Sequence, residues 1–313
     1  METSCASHTR QSFSDVSEQE SALEGWAQRY AQSEPGAYHG SVERLMLPGI
    51  TVSRERMARG VEQSVVPPED RIVFVQGMGG AGPWRVNAEP CGPRFAAFIR
   101  SGEEHLADLP AQSDVLLVEV DAALLARTEE IAPAALVLRT AMAVLPPAPE
   151  VAVLAEWFAH LLAAPGLIPA IVPDLALYNL GRLFGRLGVA QAAPAASARS
   201  GRAAYRLFRR AEARLREAGG EVVSVAGLAA ELGVPVPRLR QAFEQTVGVS
   251  PAEWLRRHRL DGARRDLLAG TADMTVTDVA MKWGFLHLGR FSSTYAAQFG
   301  ESPSTTLRRC RPA

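Results

Sequence analysis

Arg238, Arg240 and Gln241 stand within four residues of one another, and His287, Arg290 and Ser293 form a second group farther along the chain. Arginine can donate two parallel hydrogen bonds to a guanine edge, glutamine can pair bidentately with adenine, and serine can serve either. Such groups read nothing from a floppy segment, so each set needs a rigid element that offers them on one face. A helix that buries its opposite face is the simplest such element.

Both groups lie inside an internal repeat. Gly248-Val-Ser-Pro-Ala-Glu-Trp-Leu-Arg-Arg257 and Gly300-Glu-Ser-Pro-Ser-Thr-Thr-Leu-Arg-Arg309 share G-x-S-P-x-x-x-L-R-R, 52 residues apart. Upstream, Leu239 and Phe243 pair with Phe291 and Tyr295, while Ala229 and Gly233 pair with Ala280 and Gly284. Leu228-Ala229 and Val279-Ala280 suit short amphipathic helices, and Gly233 and Gly284 fall where a helix can end in a left-handed residue. A second helix follows, held by its apolar residues at i and i+4. Gly248 and Gly300 stop it, and Ser250-Pro251 and Ser302-Pro303 supply a hydroxyl cap with proline at the first helical position. Glu253 is expected to complete a capping box in the first copy. Each copy therefore predicts a helix-turn-helix, at about 224–248 and 275–300, joined by a basic helix over 251–269. With the apolar residues inward, Arg238, Arg240, Gln241, His287, Arg290 and Ser293 face outward as base contacts. Arg256, Arg257, Arg259, Arg264, Arg265, Lys282, Arg308 and Arg309 suit phosphates.

From Val225 to Arg309 the chain resembles the DNA-binding domain of the AraC/XylS transcription regulators. The resemblance rests on Asp278-Val-Ala-Met-Lys-Trp-Gly-Phe285, Gly289-Arg-Phe291, Tyr295, Phe299-Gly300 and Ser302-Pro303. The run Gly284-Phe-Leu-His-Leu-Gly-Arg-Phe291, with Thr306-Leu307-Arg308, is similar to XylS-type activators. It implies double-stranded DNA and RNA polymerase as partners, a homodimer, a cytoplasmic location, and base contacts at Arg240 and Gln241. It further implies a small organic effector, a carboxylate or an aromatic. Where family members often open the first recognition helix with a hydroxyl cap, this chain has Val234-Pro235-Val236-Pro237.

Charge divides the chain in the same way. The formal net charge of −1 hides a net −9 over residues 1–196 and +8 over 197–313. A basic end joined to an acidic part suits a nucleic-acid-binding domain on a second domain of another kind. Residues 1–36 read as a polar tail with a short helix within 17–33. Short apolar or alternating runs at 41–47, 50–57, 71–76, 94–99 and 114–120, separated by Gly and Pro, predict an antiparallel sandwich or barrel. Helices are expected at 133–144, 150–163 and 174–188, and a linker over 191–201. The resulting α+β architecture has a β-rich, cupin-like sensor with trailing helices over 37–190 and an all-α DNA-binding domain over 202–313. Leu177, Leu180, Phe184 and Leu187 form one stripe, as core packing or a dimerisation surface. An anionic effector needs a cation or donor inside the barrel, which His39, Arg44, Arg54 or Arg85 could supply, with Trp84 as a stacking surface.

Other signals carry less. Gly77-Met-Gly79-Gly-Ala-Gly82 matches a dinucleotide fingerprint but leads into Pro83-Trp84-Arg85 and another strand, not a helix. His39, His105 and His160 are far apart, without the paired histidines of a metal-dependent barrel enzyme, so no metal, cofactor or catalysis is expected. Pro90-Cys91-Gly-Pro-Arg94 faintly resembles the reactive cysteine of DNA-repair methyltransferases, over too short a match. The polar first 25 residues lack a secretory core, and Pro165, Pro169, Pro173 and Asp174 break the most apolar stretch. A regulator without a ligand, governed by abundance or a protein partner, is the alternative within the class; a cupin-type enzyme with a DNA-binding tail is the alternative outside it.

Overall fold

The computed structural model describes residues 6–126, 142–190, 196–219, 223–270 and 273–310. Its first part is two antiparallel sheets packed face to face. One has the order β1 (Ser7–Phe13), β3 (Gly40–Leu47), β4 (Ile50–Met57), β11 (Ser113–Asp121), β6 (Arg71–Gly79), β9 (Ala96–Ile99), β12 (Met142–Val144). The other runs β2 (Ala27–Gln32), β5 (Val61–Val66), β10 (His105–Leu109), β7 (Trp84–Val86), β8 (Glu89–Cys91).

The seven-stranded sheet is covered on both faces. Val73 and Val75 point towards the second sheet with Val115, Leu117 and Trp84. Phe74, Leu116 and Val118 point the other way, against α3 (Pro149–Ala163) and α4 (Val172–Ala190). A strand buried on both faces needs apolar residues at every position, which accounts for the unbroken run in β6. Burial also decides the stripe on α4. Leu180 and Phe184 are fully buried, with Phe184 edge-on to Phe98 at 5.0 Å. Leu177 packs partly against the same core, and the Leu187 side chain lies outside the described residues. Leu180 and Phe184 are thus core, not a dimer surface.

The amino-terminal segment also departs from expectation. Residues 7–13 and 27–32 are strands β1 and β2, and the helix there is only Val16–Gln19 (α1). Trp26 and Tyr30 had suggested a longer helix, but Tyr30 and Gln32 are buried at alternate positions of β2, a strand period. Most of the helix expected at 133–144 lies outside the described residues, and its last three residues are strand β12. The linker's described residues, from Ala196, already belong to the long helix α5 (Ala196–Glu217), rich in good helix formers.

Beyond α5 come α6 (Val225–Glu231), α7 (Val236–Val247), α8 (Pro251–Ala269), α9 (Val276–Lys282), α10 (Leu288–Phe299) and α11 (Pro303–Cys310). Pairs α6–α7 and α9–α10 are the helix-turn-helix units, and α8 bridges them. The repeat glycines take the left-handed backbone, with φ of 67° at Gly233, 75° at Gly284, 71° at Gly248 and 75° at Gly300. Gly262, inside α8, has another purpose: a Cβ there would lie 2.1 Å from the Trp283 ring. Ser250 Oγ accepts from the Glu253 backbone, but the Glu253 carboxylate turns to Arg256 and Arg257, so that capping box is incomplete. The reciprocal box is at Thr275 and Asp278.

Candidate nucleic-acid interface

The second helix of each unit, α7 and α10, is built on an aromatic base. Under α7, Phe243 meets Phe208 of α5 at 4.9 Å and Trp254 of α8 at 5.5 Å, both edge-on. Under α10, Phe291, Tyr295 and Phe299 follow one another at 5.6 and 4.7 Å. The opposite faces are open. Arg238, Arg240 and Gln241 on α7 and His287, Gly289, Arg290 and Ser293 at α10 are exposed. Pro235 caps α7 without a side-chain bond, which makes Val236 its first residue and Arg238 its third. His287 caps α10 in the same manner, making Arg290 the third residue there. The two arginines therefore occupy equivalent places.

The phosphate candidates divide. Arg308 stays exposed, its guanidinium hydrogen-bonded to Thr305. Lys282 is exposed and pairs with Asp266 at 2.8 Å. Arg256 and Arg257 share Glu253, which holds that carboxyl below its usual range, Arg256 contributing most. Arg259 donates to the Val223 carbonyl. Arg309 lies 3.7 Å from Glu301.

Arg264 and Arg265 do not face a ligand; they join the helices to the sandwich. Arg264 is buried and ion-paired with Asp15, and also bonds Tyr295 and Glu301. Burial alone would raise the Asp15 carboxyl, but Arg264 and hydrogen bonds from Ser17 outweigh it and hold it low. Arg265 grips Glu20 and the Tyr30 carbonyl. Gln32 and Gln298 exchange side-chain to backbone bonds. Trp254 Nε1 donates to Glu62 at 2.8 Å. Desolvation beside Glu212 pushes the Glu62 carboxyl up to about 8. Sequence reading missed Asp15, Glu20, Tyr30 and Gln32 because they lie in the segment taken for a tail; the alternation Tyr30, Gln32 was the available signal.

The effector candidates do not converge. His39 is exposed before β3. Arg54 makes a two-pronged bond to Asp114 at 2.8 Å, and Arg44 is a charge partner of Glu119. Arg85 pairs with Asp108 at 3.5 Å and reaches to Gly248, at the end of α7. Only Trp84 faces the cavity between the sheets, of about 60 Å³. That cavity is lined by aromatic and aliphatic residues together with Gln28, Tyr30, Glu55, Gln63 and His105, whose imidazole is held below its ordinary pKa by burial. Glu55 accepts from Tyr30 Oη at 3.0 Å, and burial pushes its carboxyl up to about 7. Sequence reading did not single out Glu55, one charge among several on β4.

Neither discounted motif is revived. Gly77 and Gly79 end β6, and strand β7 follows the turn. Burial and Glu89 push the Cys91 thiol up to about 11, which keeps it protonated and a weak nucleophile. Among the described residues no three His, Cys, Asp or Glu side chains gather as a metal site, and no helix is long and apolar enough to cross a membrane.

Comparison with known proteins adds the family. Residues 228–309 match the helix-turn-helix domain model. A Rhodococcus erythropolis protein described as a probable thc operon regulatory protein is 44% identical over 87 residues, which are 28% of this chain and 26% of that protein. The XylDLEGF operon transcriptional activator of Pseudomonas putida is 42% identical over 84 residues, 26% of each. The chain thus spans about a quarter of the length of these relatives. A solved probable AraC family transcriptional regulator from Rhodopseudomonas palustris CGA009 is 34% identical, covering 34% of this chain and 99% of that one, with a TM-score of 0.31. The matched segment runs from within α6 to α11, and it is an AraC-type helix-turn-helix domain similar to those of these regulators.

Proposed function

We propose that the chain is an effector-responsive transcription activator that lays α7 and α10 in successive major grooves on one face of the duplex, about 34 Å apart. The equivalent, exposed Arg238 and Arg290, on a side of the helical part that the sandwich leaves open, carry this reading. Arg240, Gln241, His287 and Ser293 contact further base edges; Arg256, Arg257, Arg259, Lys282, Arg308 and Arg309 hold phosphates, several by exchanging an internal carboxylate for the backbone. Residues 202–313 bind DNA, residues up to 190 sense and dimerise, and RNA polymerase is the partner that activation requires. The similarity to an operon activator supports the sign of regulation.

The effector reading rests on the cavity between the sheets. Its polar groups are a carboxyl, amides, a phenol and the His105 imidazole, which burial keeps from charging, with no arginine or lysine, and this favours an apolar ligand with a hydrogen-bond donor over a carboxylate. The test of DNA binding is its salt dependence. A chain that neutralises several phosphates loses affinity linearly in log salt, with a slope of about −0.9 per phosphate. Gel-shift titrations should show a steep slope, and affinity insensitive to salt would refute the reading.

A further inference from the structure

Among the described residues of the helical part, the exposed large hydrophobic side chains are Val236, Met281, Leu286 and Leu288. Val236 opens α7, Leu288 opens α10 and Leu286 lies in the turn before it, while Met281 is near the end of α9. Leu288 is the first residue of α10 and is 40% exposed; Leu286, two residues earlier, is 74% exposed. Neither belongs to the apolar cluster under that unit, which takes Trp283 and Phe285 from the same turn. In the first unit the matching first position of α7 is Val236, 36% exposed and likewise outside its cluster. Single exposed apolar residues are ordinary, but the same position is aliphatic and unburied in both copies of a repeat, two residues before an exposed arginine.

Resting on the DNA reading above, we propose that Leu288, with Leu286 beside it, reads thymine through its C5-methyl group in the major groove. Thymine alone among the four bases presents a methyl there, and an aliphatic side chain is its natural contact. The flanking His287, Arg290 and Lys282 bring this patch to a polyanion, which an ordinary apolar protein surface would not favour. Arg290 would then read a neighbouring guanine, so that the second unit recognises a thymine beside a guanine. Val236 and Arg238 repeat the pair in the first unit.

Replacing thymine by deoxyuridine removes only the methyl. Sites are first selected with the full chain, and gel shifts then compare duplexes carrying deoxyuridine at each thymine in turn. The wild-type chain should lose about fourfold in affinity at one or two positions of one half-site, the worth of one buried methyl. Leu288→Ala should bind the thymine duplex about fourfold more weakly and no longer distinguish deoxyuridine. Equal binding of both duplexes at every position, or a Leu288→Ala chain that keeps the preference, would overturn the inference and leave the DNA reading intact. If Leu286→Ala and Leu288→Ala left DNA binding unchanged but abolished activation, the patch would be a protein contact and the inference would fall. A chain that binds no duplex would overturn both readings.

Discussion

The two helix-turn-helix units open their second helices alike but rest on different supports. Both α7 and α10 begin with a half-exposed aliphatic residue, place arginine third and end on a left-handed glycine. Beneath them the units diverge. The first rests mainly on α5, whose Phe208 completes its aromatic cluster, with Leu106 of the sandwich joining the same core and Glu62 bonded to Trp254. The second is braced from the sandwich: Asp15 holds Arg264, which in turn holds Tyr295, and Gln32 locks onto Gln298. Farther along the outward faces the copies differ: Arg240 and Gln241 stand where the second copy has Ser292 and Ser293.

The largest effects should come from the cores. Phe243→Ala and Phe291→Ala remove fully buried rings and should each cost about 3 to 5 kcal/mol in urea unfolding. Equal small losses would contradict the assigned cores. Asp15→Ala should come next, at about 3 kcal/mol, because it strips a buried guanidinium of its main partner. Proteolysis or hydrogen exchange should show the damage at α10 and α11 and spare α6 and α7. Uniform loosening of both units would erase the contrast drawn between them.

A third test uses pH. Glu62 rises from 4.5 to about 8 in the folded chain, so between those values the folded state holds a proton that the unfolded state lacks. Its contribution is full below about 4.5 and is lost as pH rises through 8. Between pH 7 and 8 thermal stability should fall, in part through Glu55, whose carboxyl is pushed up to about 7, and Glu62→Gln should make that fall shallower. An unchanged slope in the variant would remove Glu62 from the domain contact. The smallest effect is expected for Thr275→Ala, which deletes the capping box of α9 and should cost about 1 kcal/mol; α6, capped by Ser224, should respond alike to Ser224→Ala.

The sequence was most legible where structure is local and repeated. Glycines, caps and i, i+4 apolar pairs marked both units to within a few residues, and alternating runs marked β3, β4, β6, β9 and β11. It was least legible where distant segments meet. Nothing local shows that Arg264 would turn from a phosphate to Asp15, 249 residues away. Nor could local pattern tell that Arg44, Arg54 and Arg85 would be taken up by other partners while Glu55 turned into the cavity. The stripe on α4 was visible, but which body it would pack against was not, because a helix face is apolar for either purpose.

The equivalence of Arg238 and Arg290 is the centre of this account, and selection of binding sites with the full chain tests it directly. Arg238→Ala and Arg290→Ala should each cost about 1 to 3 kcal/mol and flatten the preference at a single base. The two flattened positions should lie one helical turn apart, 10 to 10.5 base pairs. If either variant kept the wild-type profile and affinity, or if the two positions fell at another spacing, the paired reading of DNA would be wrong.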